Sequence, residues 1–196
     1  MDNFNDIIDM YLKIFPEEKE RQEKILEFLD DEKIEDKIDW NNFDGHLVVG
    51  AFIYSKKSRK FLYLYHKDLN MYLYPGGHID KEDNNILDAV FREIKEETGI
   101  SDLNQITIAE NKFIPIDIDT HMIDENKRLN LPSHYHFEFR YLFSVDEEFE
   151  KITIDEKEIR DFKWISIEEL SLDNNYGKII EKIKKIFEMF KNLDIM

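Results

Sequence analysis

Glu93, Glu96 and Glu97 stand three and four residues apart in the stretch PGGHIDKEDNNILDAVFREIKEETGI, residues 75–100. On a helix, at about 100° per residue, they fall within an arc of ~100°. Like charges at these spacings destabilise a helix by some tenths of a kcal/mol each. A solvated acidic stripe is the ordinary explanation. A bound dication is the other, and three features of the stretch favour it. Arg92 precedes the cluster and can orient a carboxylate. Ala89, Val90, Ile94 and Ile100 give the helix an opposite, apolar side. Pro75-Gly76-Gly77 leads into it with a backbone that approaches a bound group without Cβ interference. Clustered carboxylate oxygens on a rigid element suit Mg²⁺ or Mn²⁺, with waters and substrate phosphates completing the octahedron.

A second group lies in HYHFEFRYLF, residues 134–143. Strand alternation puts His134, His136, Glu138 and Arg140 on one face and Tyr135, Phe137, Phe139 and Tyr141 on the other. The aromatic face reads as core. The polar face is either a wall of a substrate cleft or an exposed sheet face. In the cleft reading Arg140 takes a phosphate and the histidines take a sugar, a phosphate or a metal.

The elements that must hold these groups are legible. Residues 3 to 31 read as helix, with Phe4, Ile7, Ile8, Tyr11 and Leu12 at helical spacing and a fresh start at Pro16. Ile25, Leu26, Phe28 and Leu29 continue the apolar stripe, which can pack on the rest of the chain or on another subunit. Residues 32–42 read as a polar connector. HLVVGAFIY and FLYLYH read as strands around the charged turn SKKSRK, and MYLY leads into Pro75. The acidic helix is expected over Ile86–Thr98, with Gly99 as its C-cap. Further strands are expected at KFIPIDI, HYHFEFRYLF and DFKWIS. A last helix is expected over about 176–192, with Ile179, Ile180, Ile183, Ile186, Phe187 and Phe190 as its apolar spacing. The fold class is therefore α+β, a mixed sheet flanked by helices. Residues 1–40 form a helical extension and residues 41–196 the main domain.

Composition limits the function. The 196 residues carry 44 acidic and 27 basic side chains, a net charge of -17, which argues against a nucleic-acid partner. An anionic substrate then needs a local cation to reverse the field. Zero cysteines excludes a disulfide scaffold, thiolate zinc and a cysteine nucleophile. The acidic start, MDNFNDII, lacks the order of a signal peptide, and no apolar run approaches the roughly 18 residues of a membrane span. A cytoplasmic protein without a membrane partner is expected.

The stretch GGHID…AVFREIKEETGI resembles the Nudix box. Gly77 matches its opening glycine, and Arg92, Glu93, Ile94, Glu96, Glu97, Gly99 and Ile100 match its second half. Outside the box, HLVVGAFIY resembles the family's first core strand and EIRDFKWISIEEL its late Glu-then-Trp element, so the likeness covers roughly residues 44–172. One position departs. Asn84 stands where the box has its early glutamate, and the interval from Gly77 to Arg92 is one residue longer. Asp83 or Glu82 is the expected stand-in.

The resemblance implies an α/β/α sandwich and hydrolysis of the diphosphate linkage in a nucleoside diphosphate derivative. It implies Mg²⁺ or Mn²⁺ on Glu93, Glu96 and Glu97, helped by the Gly77 carbonyl, with Arg92 as an orienting partner. The general base is Glu97 or Glu158, since family members differ. With His78 and His121, the His134-x-His136 strand resembles a subgroup of bacterial Nudix proteins carrying PGGH. The alternative function is a nucleotide sensor on the same fold that does not cut, though such proteins typically lose the box carboxylates kept here. Prenyl diphosphate isomerisation, known on this fold with a catalytic cysteine, is disfavoured by the absence of cysteine. RNA decapping is disfavoured by net charge. The helical extension has two open roles, the interface of a homodimer or a lid.

Overall fold

The structure is a computed structural model that describes residues 3–30, 33–107, 112–126, 131–146, 152–172 and 176–191. Its fold class is α+β, a mixed sheet with helices, as the sequence predicts. Two compact units divide the chain. The first comprises Met1–Gly50, Gly76–Glu93 and Asp117–Tyr141, the second Ala51–Pro75, Ile94–Ile116 and Leu142–Met196.

The first unit begins with α1 (Phe4–Ile14), whose N-cap Asn3 accepts from the Asn5 amide at 3.1 Å. Phe4, Ile7, Ile8 and Tyr11 form its buried stripe. Pro16 cannot continue that helix and starts a short 3₁₀ turn, Pro16–Glu18. A second turn, Glu20–Gln22, precedes α2 (Glu23–Asp30). The expected end at Asp31 lies outside the described residues. The polar connector holds a short helix, α3 (Ile34–Lys37), in which Lys37 is buried, as is Ile38 after it.

The same unit contains the start of β1 (His46–Ser55), β4 (Gly76–His78), β6 (Asp117–Ile123) and most of β7 (His134–Val145). β4 pairs antiparallel with β1, Val49 opposite Gly77 and Gly50 opposite Gly76. This strand was not anticipated, and it depends on bare backbone: a Cβ on Gly76 would collide with the Val49 carbonyl oxygen. β6 begins at Asp117, later than the expected KFIPIDI, because Pro115 has no amide to give a ladder.

β6 and β7 pair antiparallel with Asp117 opposite Arg140, Asp119 opposite Glu138 and His121 opposite His136. Their aromatic face is core, as expected, and the N-terminal helices cover it. Phe28 stacks on Phe137 with centroids 4.3 Å apart, and Phe4 meets Phe139 at 5.4 Å. The helical stripe therefore packs on this chain's own strands. Gln22 Nε2 donates to the Ile118 carbonyl at 3.0 Å, satisfying a backbone acceptor of β6.

The polar face of the ladder is an ion network. Arg140 donates through Nε and Nη2 to Glu138, through Nη1 to Asp117 and through Nη2 to Asp119, all within 2.8–3.1 Å. Arg21 donates to Asp117 through both terminal nitrogens at 2.8 and 2.9 Å, to Asp119 at 3.0 Å and to Glu18 at 2.6 Å. Burial raises the pKa of Asp119, but hydrogen bonding to His121 and the charges of Arg140 and Arg21 outweigh it and hold the carboxyl below its ordinary range.

In the second unit β2 (Lys60–His66) pairs with the end of β1, with β3 (Met71–Leu73) and with β8 (Ile159–Ser166), all antiparallel. β5 (Asn104–Gln105) pairs with the end of β7. Ser166 caps α5 (Ile167–Leu170) through a capping box with Glu169. The core joins Phe52, Phe61, Tyr63 and Leu142 to Ile179, Ile180, Ile183 and Ile186 of α6 (Gly177–Lys191). The expected end at Asn192 and the side chain of Phe190 lie outside the described residues. α4 (Ile86–Thr98), like β1 and β7, has residues in both units.

Arg140→Met sets a hydrocarbon beside Glu138 and takes one of two arginines from Asp117 and Asp119, which Arg21 still holds, and the expected cost is about 3–5 kcal/mol in chemical denaturation. The ionised network contributes fully above the ordinary Asp pKa of about 4 and is lost as pH falls below it. The wild-type denaturation midpoint should therefore drop steeply under about pH 4, and Arg140→Met should flatten that drop.

Candidate functional site

The acidic helix is built as its sequence suggests. Asn85 caps α4, its Oδ1 accepting from the Asp88 amide at 3.0 Å, and Gly99 ends it with φ +73°. Ala89, Val90 and Ile94 are fully buried. Glu93 faces the glycine loop: a Cβ on Gly77 would stand 2.5–2.7 Å from the Glu93 carboxyl atoms, so that carboxylate occupies the space a side chain would fill.

Arg92 fixes this arrangement. Its Nη1 donates to Glu93 Oε1 at 2.9 Å and its Nη2 to the His78 carbonyl at 2.8 Å. Nε and Nη2 form a bidentate pair with Asp83 at 3.2 and 2.9 Å. Asp83 is itself buried and accepts from the Asp80 amide at 2.8 Å. Of the two expected stand-ins for the early glutamate, Asp83 has this contact with Arg92. Asn84 instead donates from its amide groups to Asp88.

Glu96 and Glu97 differ in exposure, Glu96 facing solvent and Glu97 being 5% exposed. His66 Nε2 lies 3.8 Å from Glu97 Oε1, and it is buried with no hydrogen bond among the described residues. Burial lowers the His66 pKa, keeping the ring neutral. His66 comes to this position through a register shift in the β2–β8 ladder between Tyr65 and His66. Nothing in FLYLYH distinguishes that histidine, because the shift depends on pairing with a distant strand. Glu158 is exposed in the turn before β8, its carbonyl accepting from the Lys67 amide at 2.8 Å, next to His66 in the chain.

In the first unit a histidine cluster gathers His46, His78, His134 and His136. His46 Nε2 and His78 Nε2 are 3.0 Å apart, and His134 Nε2 and His136 Nε2 are 3.3 Å apart. Burial, then the charge His78 would carry, pushes His46 down to about 4; burial, then His46 and His78, takes His136 to about 2. Both rings are neutral at pH 7. His46 went unnoticed in the sequence, although it opens the first core strand as His78 closes the glycine loop.

Of the two readings of the polar face of HYHFEFRYLF, the exposed sheet face is corrected by the structure. His134, Glu138 and Arg140 are buried, and each side-chain nitrogen of Arg140 already meets a carboxylate. A phosphate at Arg140 would have to displace Asp117, Asp119 or Glu138. The reason is pairing: β6 sets Asp117 directly across from Arg140, and Arg140 also holds Glu138 on its own strand.

The carboxylate oxygens on α4 are of the type a hard dication takes, and in the first unit the Gly77 backbone is kept clear beside Glu93.

The model of the NUDIX domain family matches residues 44–185. Among curated proteins, a probable DHNTP pyrophosphohydrolase of Lactococcus lactis subsp. cremoris is 29% identical over 134 residues, 67% of this chain and 73% of its own length. Among solved structures, a C. elegans Ap4A hydrolase binary complex has a TM-score of 0.54 and 22% identity over 74% of this chain and 98% of its own. A NUDIX-family hydrolase from Clostridium perfringens has a TM-score of 0.50 and 24% identity over 74% of this chain and 97% of its own. At these identities the two structures bear on the fold alone.

Gly77→Ala places a methyl group against the Glu93 carboxylate and should force it off Arg92. Expected is an Mn²⁺ affinity lower by about 10–100-fold in calorimetric titration, with a thermal midpoint close to wild type. Unchanged affinity would mean that the seat of Glu93 has no part in cation binding.

Proposed function

Because the chain belongs to the NUDIX domain family and is a hydrolase of pyrophosphate bonds, we propose that it cleaves the diphosphate linkage of a nucleotide-type substrate with Mg²⁺ or Mn²⁺. The observation that carries this reading is the Glu93 carboxylate held against Gly77 by Arg92. A cut of this kind needs its cation ligands fixed before substrate arrives, since every misplaced donor weakens charge stabilisation in the transition state.

Glu93, Glu96 and Glu97 are the proposed cation ligands, with the Gly77 carbonyl beside them. They would hold a dication that would offset diphosphate charge and supply an activated water. Arg92 acts as a positioning residue. It already spends its donors on Asp83, Glu93 and the His78 carbonyl, so its role is to aim Glu93. Asp83 holds Arg92 in turn, in place of the early glutamate that Asn84 replaces. His66 lines the position of Glu97 with a neutral nitrogen.

The proton of the attacking water goes to Glu97 or Glu158. Burial of Glu97 beside His66 favours a role on the metal and reacting atoms, while exposure of Glu158 next to the His66 ladder leaves it room to approach bound substrate. The Lactococcus relative is named for DHNTP, so DHNTP is the first substrate to try, alongside ADP-ribose and dinucleotide polyphosphates.

The test is product release from DHNTP, ADP-ribose, dinucleotide polyphosphates, nucleotide sugars and (d)NTPs, with and without Mg²⁺ or Mn²⁺. Turnover should need the cation and fall at least about 100-fold in Glu97→Gln. The variant that removes the base should also lose the acid limb of the pH–rate profile, separating Glu97 from Glu158. Cation-dependent binding of one compound with no turnover would support the non-cutting sensor instead.

A further inference from the structure

The geometry points to a second cation site apart from the helix carboxylates: His46, His134 and His136 form an imidazole cage for a transition-metal dication of the Zn²⁺ class, with His78 as a further donor beside His46.

Distance is the first argument. One ligand nitrogen from each of His46, His134 and His136 lies within 4.8 Å of the others. His134 Nε2 and His136 Nε2 are 3.3 Å apart, and His46 Nε2 and His78 Nε2 are 3.0 Å apart. Two nitrogens bound at about 2.0–2.1 Å to one tetrahedral ion stand about 3.3–3.4 Å from each other. The imidazoles are thus spaced much as ligands sharing an ion are spaced.

Proton placement is the second. His134 Nδ1 lies 2.8 Å from the Pro132 carbonyl and His46 Nδ1 lies 3.4 Å from the Asn42 carbonyl. A carbonyl only accepts, so each contact puts the ring proton on Nδ1 and leaves a lone pair on Nε2, the nitrogen that faces the cluster. Backbone carbonyls orient metal-bound histidines in this way in known sites. Without a cation, His136 and His78 each donate a single Nε2 proton to the facing lone pair. A dication replaces those two hydrogen bonds once the protons move to Nδ1.

The third argument is rigidity. The four rings stand on β1, β4 and β7, with His46 centroids 4.7 Å from His136 and 4.9 Å from both His78 and His134. Among the described residues a second metal-capable trio, Asp119, His121 and Glu138, is a poorer candidate, because Arg21 and Arg140 already neutralise its carboxylates. Imidazole donors select Zn²⁺, Co²⁺, Ni²⁺ or Cu²⁺ over Mg²⁺, so this cage and the acidic helix differ in the ions they take.

The experiment uses the full chain, stripped with a chelator and titrated with Co²⁺ and then Zn²⁺ in saturating Mg²⁺. Expected is visible absorption of a nitrogen-ligated, four-coordinate Co²⁺, bleached by an equimolar amount of Zn²⁺. Ring ¹⁵N resonances of His46, His134 and His136 in the wild-type chain should shift on the same titration, a readout that does not depend on any variant folding. His134→Gln and His136→Gln should each weaken Co²⁺ binding by about 100-fold or more, while Glu93→Gln and Glu97→Gln should retain it. Silent absorption with unmoved histidine resonances would overturn the proposal and leave the cluster as a hydrogen-bonded one. Binding lost in the glutamate variants and kept in the histidine variants would overturn it too, assigning the ion to the helix. Every readout is binding, so the result stands apart from whether the chain turns over a diphosphate.

Discussion

Two consecutive residues without a Cβ govern the local design. Gly76 lies on the Val49 carbonyl, and Gly77 leaves its side-chain space to the carboxylate of Glu93. Any larger residue at either position separates the loop from β1 or pushes Glu93 away. From that close approach follow the short β1–β4 ladder, the position of the His78 carbonyl, and its hydrogen bond to Arg92. Arg92 then ties together a strand carbonyl, a loop aspartate and a helix glutamate. A guanidinium suits this task because its planar fork offers several donors in fixed directions.

A second set of charges works differently. Arg21 and Arg140 sit among Asp117, Asp119, Glu138 and Glu18, a largely buried network that brings a residue from the N-terminal segment onto the β6–β7 ladder. Such networks are weak evidence for stability, because desolvation offsets much of the attraction. Their geometric demand is strong, however, since each acid needs its arginine in place. Together with the Phe28–Phe137 stack, the network holds the extension to these two strands by both polar and apolar contacts. It also accounts for why Arg140, a natural phosphate ligand by type, is engaged elsewhere.

The first unit also brings hard and borderline donors close in sequence. Gly77 neighbours the Glu93 carboxylate, and the next residue, His78, belongs to the histidine cluster. Oxygen and imidazole donors prefer different cations. Among the described residues no helix is long and apolar enough to cross a membrane.

The sequence by itself determined the helix Ile86–Thr98, its glutamate spacing, its Gly99 end, most of the strands and the family, because these depend on local periodicity, capping and a contiguous motif. It also indicated a carboxylate near residue 83 without choosing between Asp83 and Glu82. Only the tertiary structure decided what depends on distant partners. The extension packs on its own chain because Phe28 and Arg21 find Phe137 and Asp117 far along the sequence. Arg140 is engaged because β6 presents Asp117 opposite it, and Arg140 in turn holds Glu138. His66 reaches Glu97 through a register shift, and His46 joins three other histidines only when β1, β4 and β7 come together. Such encounters have no periodicity along the chain, since they are set by strand pairing across tens of residues.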